Sequence, residues 1–234
     1  MFLKVVQQST LKHLPKALGQ KHSVNLRYKK YFRKTSLKQK GVGNFFLNEV
    51  SIKRPKVFLE VGVFHGVTAR NICELLYSLH GNDFKYIGLD LFEKNLESKD
   101  EVIPNTKFSN PLKTIYFKFI KRQDPYSKKA VEDLLKKYKN NFSLIKGNSN
   151  DILKKIDMSK IDFVFLDGGH DYSTVINDLN CCKEVIENNG TVLCDDYDLS
   201  YAPGVRKAID EFTSMHNFKC TIICNDRFAK IEKN

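Results

Sequence analysis

From residue 57 to the C-terminus, short apolar runs alternate with stretches in which apolar residues recur at helical spacing. Such runs, bounded by glycine, asparagine or aspartate, are typical of buried strands, and spacings of three and four residues are typical of amphipathic helices. The pattern predicts strands over residues 57–61, 84–89, 142–145, 161–166, 191–194, 219–224 and 228–232. It predicts helices over residues 67–80, 149–156 and 175–186, and a further helix that begins at Pro203 or Gly204 and ends at His216.

Strands that alternate with helices predict parallel pairing, because each parallel connection needs a long crossover. The last two strands are joined only by Asn225-Asp226-Arg227, and so short a turn predicts an antiparallel hairpin. We therefore expect an α/β fold with a doubly wound, mostly parallel, seven-stranded sheet.

Two segments lie outside this alternation. Residues 1–54 show helix-like apolar spacing near Phe2 and again from Val42 to Val50, and we expect a basic helical cap or lid on a main domain of residues 55–234. Residues 91–141 form a connection too long for an ordinary loop, with helical spacing at 111–121 and 127–139. Such a connection is expected to be a lid or a substrate-binding insertion.

The net charge of +12 is concentrated in the N-terminal quarter, where residues 1–56 carry 14 lysines and arginines and the single acid Glu49. A solvated basic face on the cap is the simplest interpretation. Two alternatives are a surface for phosphate-rich partners or an anionic membrane, and an organellar presequence. The excess of lysine over arginine argues against the presequence.

We expect neither a membrane span nor a secretory signal, because no run of about 18 apolar residues and no signal-like N-terminal pattern occurs. All six cysteines fall within apolar patterns and none forms a C-x-x-C pair. They indicate reduced core residues in a cytoplasmic protein and argue against a structural zinc site.

The first predicted strand ends near an acid, Glu60, and the turn after it contains two glycines, Gly62 and Gly66. Glycine lets the backbone approach a ligand closely, and the start of the following helix has free N–H groups. The spacing matches neither the G-x-G-x-x-G of dinucleotide-binding loops nor the G-x-x-x-x-G-K-[ST] of phosphate-binding loops. It favours a nucleotide-cofactor turn of another kind.

Polar residues also follow the other parallel strands. Ligands of doubly wound sheets bind at the carboxyl ends of the strands, and an acid at the end of the second strand can bond both ribose hydroxyls of a nucleoside. Asp90 has this position, with a solvent-exposed acid as the alternative interpretation. The other strand-end residues are Asn148, Asp167, Asp195 and Asp196. Their convergence on one edge indicates a ligand site.

A more specific pattern is the block D-F-V-F-L-D-G-G-H-D-Y-S-T-V-I-N-D-L from Asp162, followed by N-N-G-T-V-L-C-D-D-Y up to Tyr197 and by G-V-R-K-A-I-D-E-F at residues 204–212. It resembles the S-adenosylmethionine (SAM)-dependent methyltransferases of the group that includes macrocin O-methyltransferase and relatives of the cephalosporin hydroxylase proteins. The E-x-G-x-x-x-G turn is similar to the first motif of the class I enzymes. The resemblance covers residues 55–232, apart from the insertion at 91–141.

This resemblance implies the Rossmann-like class I methyltransferase fold and SAM as the cofactor. The glycine turn would surround the methionine part of SAM, the end of the second strand would hold the ribose, and the end of the third strand would line the adenine. The implied cofactor-binding residues are Glu60, Gly62, Gly66, Asp90, Asn148, Ser149 and Asp167.

The resemblance also implies a divalent cation, usually magnesium, held by Asp167, Asp195 and Asp196. Three carboxylates brought together without a cation repel one another, and oxygen ligands suit Mg²⁺. The alternative is that only Asp167 and one of the pair face the site. His170 is the candidate proton acceptor, because its side chain titrates near neutrality. Asp167 and His170 are thus the candidate catalytic residues, and His65, within the turn, is an inferior candidate.

The expected function is methyl transfer from SAM to a hydroxyl of a small molecule, with sugar or glycoside hydroxyls favoured. Two alternatives are a nucleic-acid methyltransferase that uses the basic N-terminus and a non-catalytic binding protein that keeps the SAM fold. The Asn/Asp-Pro-Pro-aromatic motif of amino-methylating enzymes does not occur, so we do not expect a nucleic-acid partner. The acceptor and the oligomeric state, including a homo-oligomer, are left open.

Overall fold

The computed structural model describes residues 27–93, 108–198, 200 and 202–234. Within these ranges, seven strands form one sheet in the order β3-β2-β1-β4-β5-β7-β6. The strands are β1 (Val57–Val61), β2 (Lys85–Asp90), β3 (Phe142–Lys146), β4 (Phe163–Leu166), β5 (Thr191–Cys194), β6 (Lys219–Ile223) and β7 (Phe228–Glu232).

The pairing confirms the predicted doubly wound sheet. Strand β1 lies in the centre and pairs in parallel with both β2 and β4, while β3 and β5 extend the parallel part on either side. Strand β7 is antiparallel to both β5 and β6, as the short turn before it predicted. The direction of winding reverses between β1 and β4, so the crevice for a ligand is expected at the carboxyl ends of these two strands.

Helices cover both faces of the sheet. Because alternate residues of a buried strand point to opposite faces, Phe58 and Phe163 pack into one core cluster, and Leu59 and Val164 pack into the other. Each such fully buried side chain stabilises the fold by about 1.5–3 kcal/mol. The first cluster receives α1 (Val42–Lys53), α2 (Val67–His80) and α4 (Lys128–Leu135), and the second receives α5 (Ser149–Ile152), α6 (Tyr172–Cys181), α7 (Lys183–Glu187) and α8 (Pro203–His216).

Helix α3 (Pro111–Ile115) lies in the long insertion and continues as a π-helical turn over Tyr116–Lys121. This segment confirms the helical spacing predicted for residues 111–121, and helix α4 confirms it for the start of 127–139. No helix in the described part of the chain is long and apolar enough to cross a bilayer. All six cysteines lie within the described residues and carry free thiols.

Three parts of the chain differ most from the prediction. The helix predicted over 175–186 is two helices, because Cys182 has ψ near 0° and its N–H is shared between the carbonyls of Asp178 and Leu179. The strand predicted from 161 begins at Phe163, because Ile161 closes a 3₁₀ turn by bonding the carbonyl of Met158. In the N-terminal region, the helix predicted near Val42 is present as α1, residues 27–40 form no helix, and the spacing near Phe2 lies outside the described residues.

Gly62 joins the loops that follow β1 and β4. It has a φ of 94°, a conformation that favours glycine, and its N–H donates to the carbonyl of Leu89 over 2.9 Å. A Cβ added at Gly62 would lie 1.9 Å from the carbonyl oxygen of Asp167. The two loops therefore pack backbone against backbone, with no space for any side chain between them.

Two glycines with positive φ distinguish the effect of the backbone clash at Gly62 from the strain that a positive φ alone causes in alanine. Gly81 has a φ of 62°, and a Cβ there would meet no atom within 4 Å. We expect Gly62→Ala to cost at least about 2 kcal/mol more in the free energy of unfolding than Gly81→Ala, because only the first adds a clash with backbone. Urea unfolding of both variants measures the difference. Equal destabilisation would show that the two loops tolerate a methyl group between them.

Candidate active site

Glu60 lies inside β1, one residue before the strand ends, and its side chain is buried with 1% exposure. The hydroxyl of Tyr86, from the neighbouring strand β2, donates a hydrogen bond to its carboxyl group. Burial raises the pKa of Glu60 from 4.5 to about 8, the negative charge of Asp90 raises it further, and the hydrogen bond from Tyr86 opposes this shift. The carboxyl group of Glu60 is therefore enclosed within the sheet, near the carboxyl end of β1.

Asp90 ends β2 and connects three parts of the chain. One carboxylate oxygen accepts the N–H of Phe64, in the glycine turn, over 2.7 Å. The other accepts the N–H of Phe92 over 2.8 Å and the hydroxyl of Tyr126, from the insertion, over 2.9 Å. The rings of Phe64 and Phe92 lie 5.8 and 6.4 Å from that of Tyr126, so the three residues that donate to Asp90 also pack their rings together. This half-buried acid has the position predicted for the ribose contact.

Asn148 and Ser149 lie at the end of β3, next to Asp90. The N–H of Gly147 donates to the carbonyl of Asp90 over 3.0 Å, which fixes this loop beside β2. Asn148 caps α5, since its side-chain oxygen accepts the N–H of Asn150 over 2.9 Å, and Ser149 is the first residue of that helix. Both side chains are half-buried, and their predicted contact with adenine stays a prediction.

Asp167, Asp195 and Asp196 come together at the carboxyl ends of β4 and β5. Each offers one carboxylate oxygen, and these atoms lie within 4.8 Å of one another. The register explains the convergence, because Leu166 pairs with Cys194 and the N–H of Asp195 donates to the carbonyl of Leu166 over 2.9 Å. The three acids were predicted to converge here, and the structure brings them together. We refer to them as the acidic cluster.

Arg227 supplies a positive charge to the acidic cluster. Its Nε and Nη2 donate to the two carboxylate oxygens of Asp195 over 2.7 and 2.6 Å, and Nη2 lies 3.4 Å from Asp196. Arg227 was not among the predicted site residues. The antiparallel register, in which Cys194 faces Ala229, places residue 227 opposite residue 196, so the position of Arg227 could have been inferred from the hairpin.

The pKa shifts show how strongly these carboxyl groups interact. Burial raises the pKa of Asp195 to about 6, the charge of Asp196 adds to this, and the hydrogen bonds from Arg227 oppose it. Burial, followed by the charges of Asp195 and Asp196, holds the pKa of Asp167 well above its usual range. One arginine therefore only partly compensates the charge of the three acids.

His170 and Ser36 are the remaining neighbours of the acidic cluster. Nε2 of His170 lies 3.0 Å from an oxygen of Asp196, and the histidine side chain is 25% exposed. The hydroxyl of Ser36 donates to Asp167 over 2.7 Å. His170 was predicted at this site, whereas Ser36, far away in the sequence, was not. No periodicity or motif in the basic N-terminal region could have indicated it.

Ser36 belongs to a non-helical segment, residues 27–40, which we call the N-terminal strap. The strap is anchored by Arg33, whose guanidinium donates to the carbonyls of His65, Pro125 and Ala130 over 3.1, 3.2 and 2.9 Å and lies 5.2 Å from the ring centre of Phe117. Burial lowers the pKa of Arg33 to about 10. This basic residue, sequence-predicted to belong to a solvated face, instead joins the glycine turn to the insertion.

His65 also contacts the strap and is fully buried. Its Nδ1 accepts the N–H of Lys34 over 3.4 Å, and its ring stacks on Phe64 with centres 4.2 Å apart. A side chain so enclosed packs the turn against the strap. This placement agrees with its lower rank as a candidate proton acceptor.

A family model described as a methyltransferase domain matches residues 59–197, which include every predicted site residue. The chain belongs to this family. Its seven-stranded sheet and strand order place it among the class I SAM-dependent methyltransferases.

Sequence and structure comparisons add distant relatives. An uncharacterised protein of Acanthamoeba polyphaga mimivirus is 36% identical over 55 residues, which is 23% of this chain and 25% of that protein, so the match spans about a quarter of the relative's length.

The methyltransferase PaMTH1 of Podospora anserina, solved with SAH, is 18% identical over 82% of this chain and 77% of its own, with a TM-score of 0.53. The O-methyltransferase NovP is 16% identical over 82% and 81%, with a TM-score of 0.58. A TDP-rhamnose 3'-O-methyltransferase of calicheamicin biosynthesis is 13% identical over 80% and 77%, with a TM-score of 0.55. These structures share the fold.

The raised pKa of Glu60 predicts a specific pH dependence of stability. Between pH 4.5 and about 8 the folded state keeps the proton that the unfolded state has lost, so the contribution of Glu60 to stability falls as the pH rises through this range. Glu60→Gln cannot ionise. The free energy of unfolding of the variant minus that of the parent should therefore rise by about 1.4 kcal/mol per pH unit and level off above the folded-state pKa. Urea titrations from acid to alkaline pH measure it, and two parallel curves would contradict the shift.

Proposed function

We propose that this protein transfers the methyl group of SAM to a hydroxyl oxygen of a small molecule, with sugar or glycoside hydroxyls as the favoured acceptors. The observation that carries the proposal is the acidic cluster beside His170, at the carboxyl ends of the strands next to the glycine turn. With a cation held by its carboxylates and a histidine beside it, such a cluster suits an acceptor whose oxygen must lose a proton. The solved TDP-rhamnose 3'-O-methyltransferase, which acts on a sugar, shares the fold and supports the favoured class.

The glycine turn, Asp90 and the loop at Asn148 would hold SAM. When bound, SAM supplies a methyl group on a positively charged sulfonium. The described edge is suited to a cationic ligand, because the carboxyl groups of Glu60 and Asp90 lie there without a described arginine or lysine paired to either. Burial makes ionised Glu60 costly, and a nearby positive charge would reduce that cost.

The acidic cluster fits a divalent cation, because carboxylate oxygens are the ligands that Mg²⁺ prefers. Arg227 and the N–H of Asp196 already use three of the about four acceptor positions of Asp195. Asp167 and Asp196 are therefore the better placed ligands, and Asp195 keeps one position. An ion held by these acids would supply positive charge beside the acceptor oxygen.

His170 is the proposed proton acceptor. Its Nε2 faces Asp196, which orients the ring and stabilises it when protonated, and Nδ1 has no hydrogen-bond partner among the residues that the structure describes. The imidazole would accept the proton of the acceptor hydroxyl as that oxygen attacks. SAM would supply the methyl carbon and leave as a neutral thioether that keeps the electron pair of the broken carbon–sulfur bond.

The N-terminal strap is proposed to act as a lid on this reaction. Ser36 bonds Asp167, and Arg33 bonds the carbonyl of His65 in the glycine turn, so the strap lies across both the acidic cluster and the turn. Enclosure by the strap would exclude water from the site. The division into a cap of residues 1–54 and a catalytic domain of residues 55–234, the cytoplasmic location and a small-molecule partner are likewise parts of the proposal.

The proposed reaction can be tested with tritium-labelled SAM and a panel of sugar nucleotides, glycosides, phenols and RNA, each with Mg²⁺ or with excess EDTA. We expect an acid-stable methyl ether that forms only with the cation present. Asp167→Asn should abolish cation-dependent transfer and Mn²⁺ binding measured by electron paramagnetic resonance, and it should leave SAM affinity within about threefold, because the proposed cofactor contacts lie mainly on β1 and β2.

Asp151→Asn is the matched control, since Asp151 is exposed on α5 and lies outside the acidic cluster. It should keep both the Mn²⁺ signal and the transfer. Full turnover in excess EDTA would remove the cation from the proposal. Transfer of the label to nitrogen of RNA, with no labelled ether, would remove the hydroxyl acceptor and favour the nucleic-acid alternative.

A further inference from the structure

Exposed apolar side chains are concentrated on one surface of the insertion. Eight large apolar residues of the described chain are strongly exposed, and five of these lie on or against α3 and its π-helical continuation. The five, which we call the apolar patch, are Phe32 (47% exposed), Leu112 (67%), Ile115 (50%), Phe119 (62%) and Ile120 (70%). Single exposed apolar residues are ordinary, but a contiguous group marks an interaction site.

The fold does not need these five side chains in its core. Phe117, on the other side of the helix, is only 5% exposed and anchors it, with its ring stacked 5.4 Å from that of Phe108 and beside the guanidinium of Arg33. Leu112, Ile115 and Phe119 recur at spacings of three and four, so they share the outward side. Phe32 joins them from the strap, since its ring lies 5.6 Å from that of Tyr116.

Cations surround the apolar patch. Residues 108–122 contain no aspartate or glutamate and four basic residues, Lys113, Lys118, Lys121 and Arg122. The last three of these are exposed, and none of the four forms an ion pair with an acid in the described part of the chain. The surface therefore combines solvent-exposed apolar groups with uncompensated positive charge, which is the composition of a helix that lies in a membrane interface.

Charge also argues against the other occupants that the chain could offer. A second copy that docked through the same patch would bring like charges together. Residues 1–26 carry four lysines and no acid, and residues 94–107 carry three acids and three lysines, so neither segment is an anionic partner. An anionic surface complements the patch better than any of these.

We propose that the apolar patch and its four basic residues dock this protein on the surface of an anionic lipid bilayer. The apolar side chains enter the boundary between headgroups and acyl chains, and the basic side chains contact the anionic headgroups. Apart from Phe32 of the strap, the docking surface belongs to the same insertion whose Tyr126 bonds Asp90, so it lies on an element that also reaches the candidate site.

Co-sedimentation of the full chain with lipid vesicles tests this proposal. We expect binding to phosphatidylcholine vesicles that contain about 30% phosphatidylserine, weaker binding at high salt, and little binding to pure phosphatidylcholine. Lys118→Glu with Lys121→Glu should weaken binding by at least about 25-fold, since each lysine contributes about fivefold. Phe119→Ser with Ile120→Ser should weaken it by at least about tenfold.

Two control pairs match these changes elsewhere on the surface. Ile52→Ser with Met215→Ser alters apolar residues of similar exposure, 65% and 68%, and Lys154→Glu with Lys155→Glu makes the same change in net charge at exposed positions. Both pairs should keep most of the vesicle binding. Circular dichroism and thermal melting establish that all variants fold.

Absence of binding to anionic vesicles, or equal losses in the patch and control pairs, would overturn the proposal. A change from dimer to monomer in Phe119→Ser with Ile120→Ser, seen by light scattering without any effect on vesicle binding, would assign the patch to a contact between copies and would also overturn it. The assay needs neither SAM nor an acceptor, so these outcomes are independent of methyl transfer.

Discussion

Carboxyl groups that crowd at the edge of a parallel sheet are costly to ionise, and the described structure depends on how this cost is met. Each acid near the edge receives a hydrogen-bond donor or a positive charge from a different part of the chain. Tyr86 of β2 donates to Glu60 of β1, and Arg227 of the hairpin turn pairs with Asp195 in the loop after β5. Ser36 of the strap donates to Asp167 in the loop after β4, and His170 of that loop bonds Asp196 in the loop after β5.

The site is therefore not a property of the glycine turn alone. Arg227 comes from a hairpin that otherwise only closes the sheet, and the strap lies before the sheet begins, yet both contact the acidic cluster. The compensation is also incomplete, since burial and mutual repulsion keep the pKa of Asp167 and Asp195 above the ordinary range. A site with this remaining negative charge is suited to a cationic ligand, which is the basis for proposing a divalent cation at the acidic cluster.

The sequence allowed most of the fold to be predicted, because buried parallel strands are nearly continuous apolar runs and short turns force antiparallel pairing. It also placed the three acids together, since β4 and β5 are neighbours and their carboxyl ends share one edge. Arg227 could have been inferred from the register of the hairpin. Arg33 and Ser36 could not, because their segment has no periodicity and its contacts span long distances along the chain. The break at Cys182 escaped prediction because apolar spacing continues through it.

Calorimetric titration of SAM measures whether the carboxyl edge around β1 and β2 binds this cofactor, as proposed. Strand β2 provides a matched pair, because Asp90 ends it at this edge, whereas Asp83 precedes it at the opposite edge, exposed and paired with Lys56. We expect SAM to bind the parent protein in preference to NAD. Asp90→Ala should weaken SAM binding about 10- to 100-fold through lost charge-assisted hydrogen bonds, and Asp83→Ala should leave it unchanged. Equal SAM affinity in both variants, or binding of NAD without SAM, would contradict the proposal.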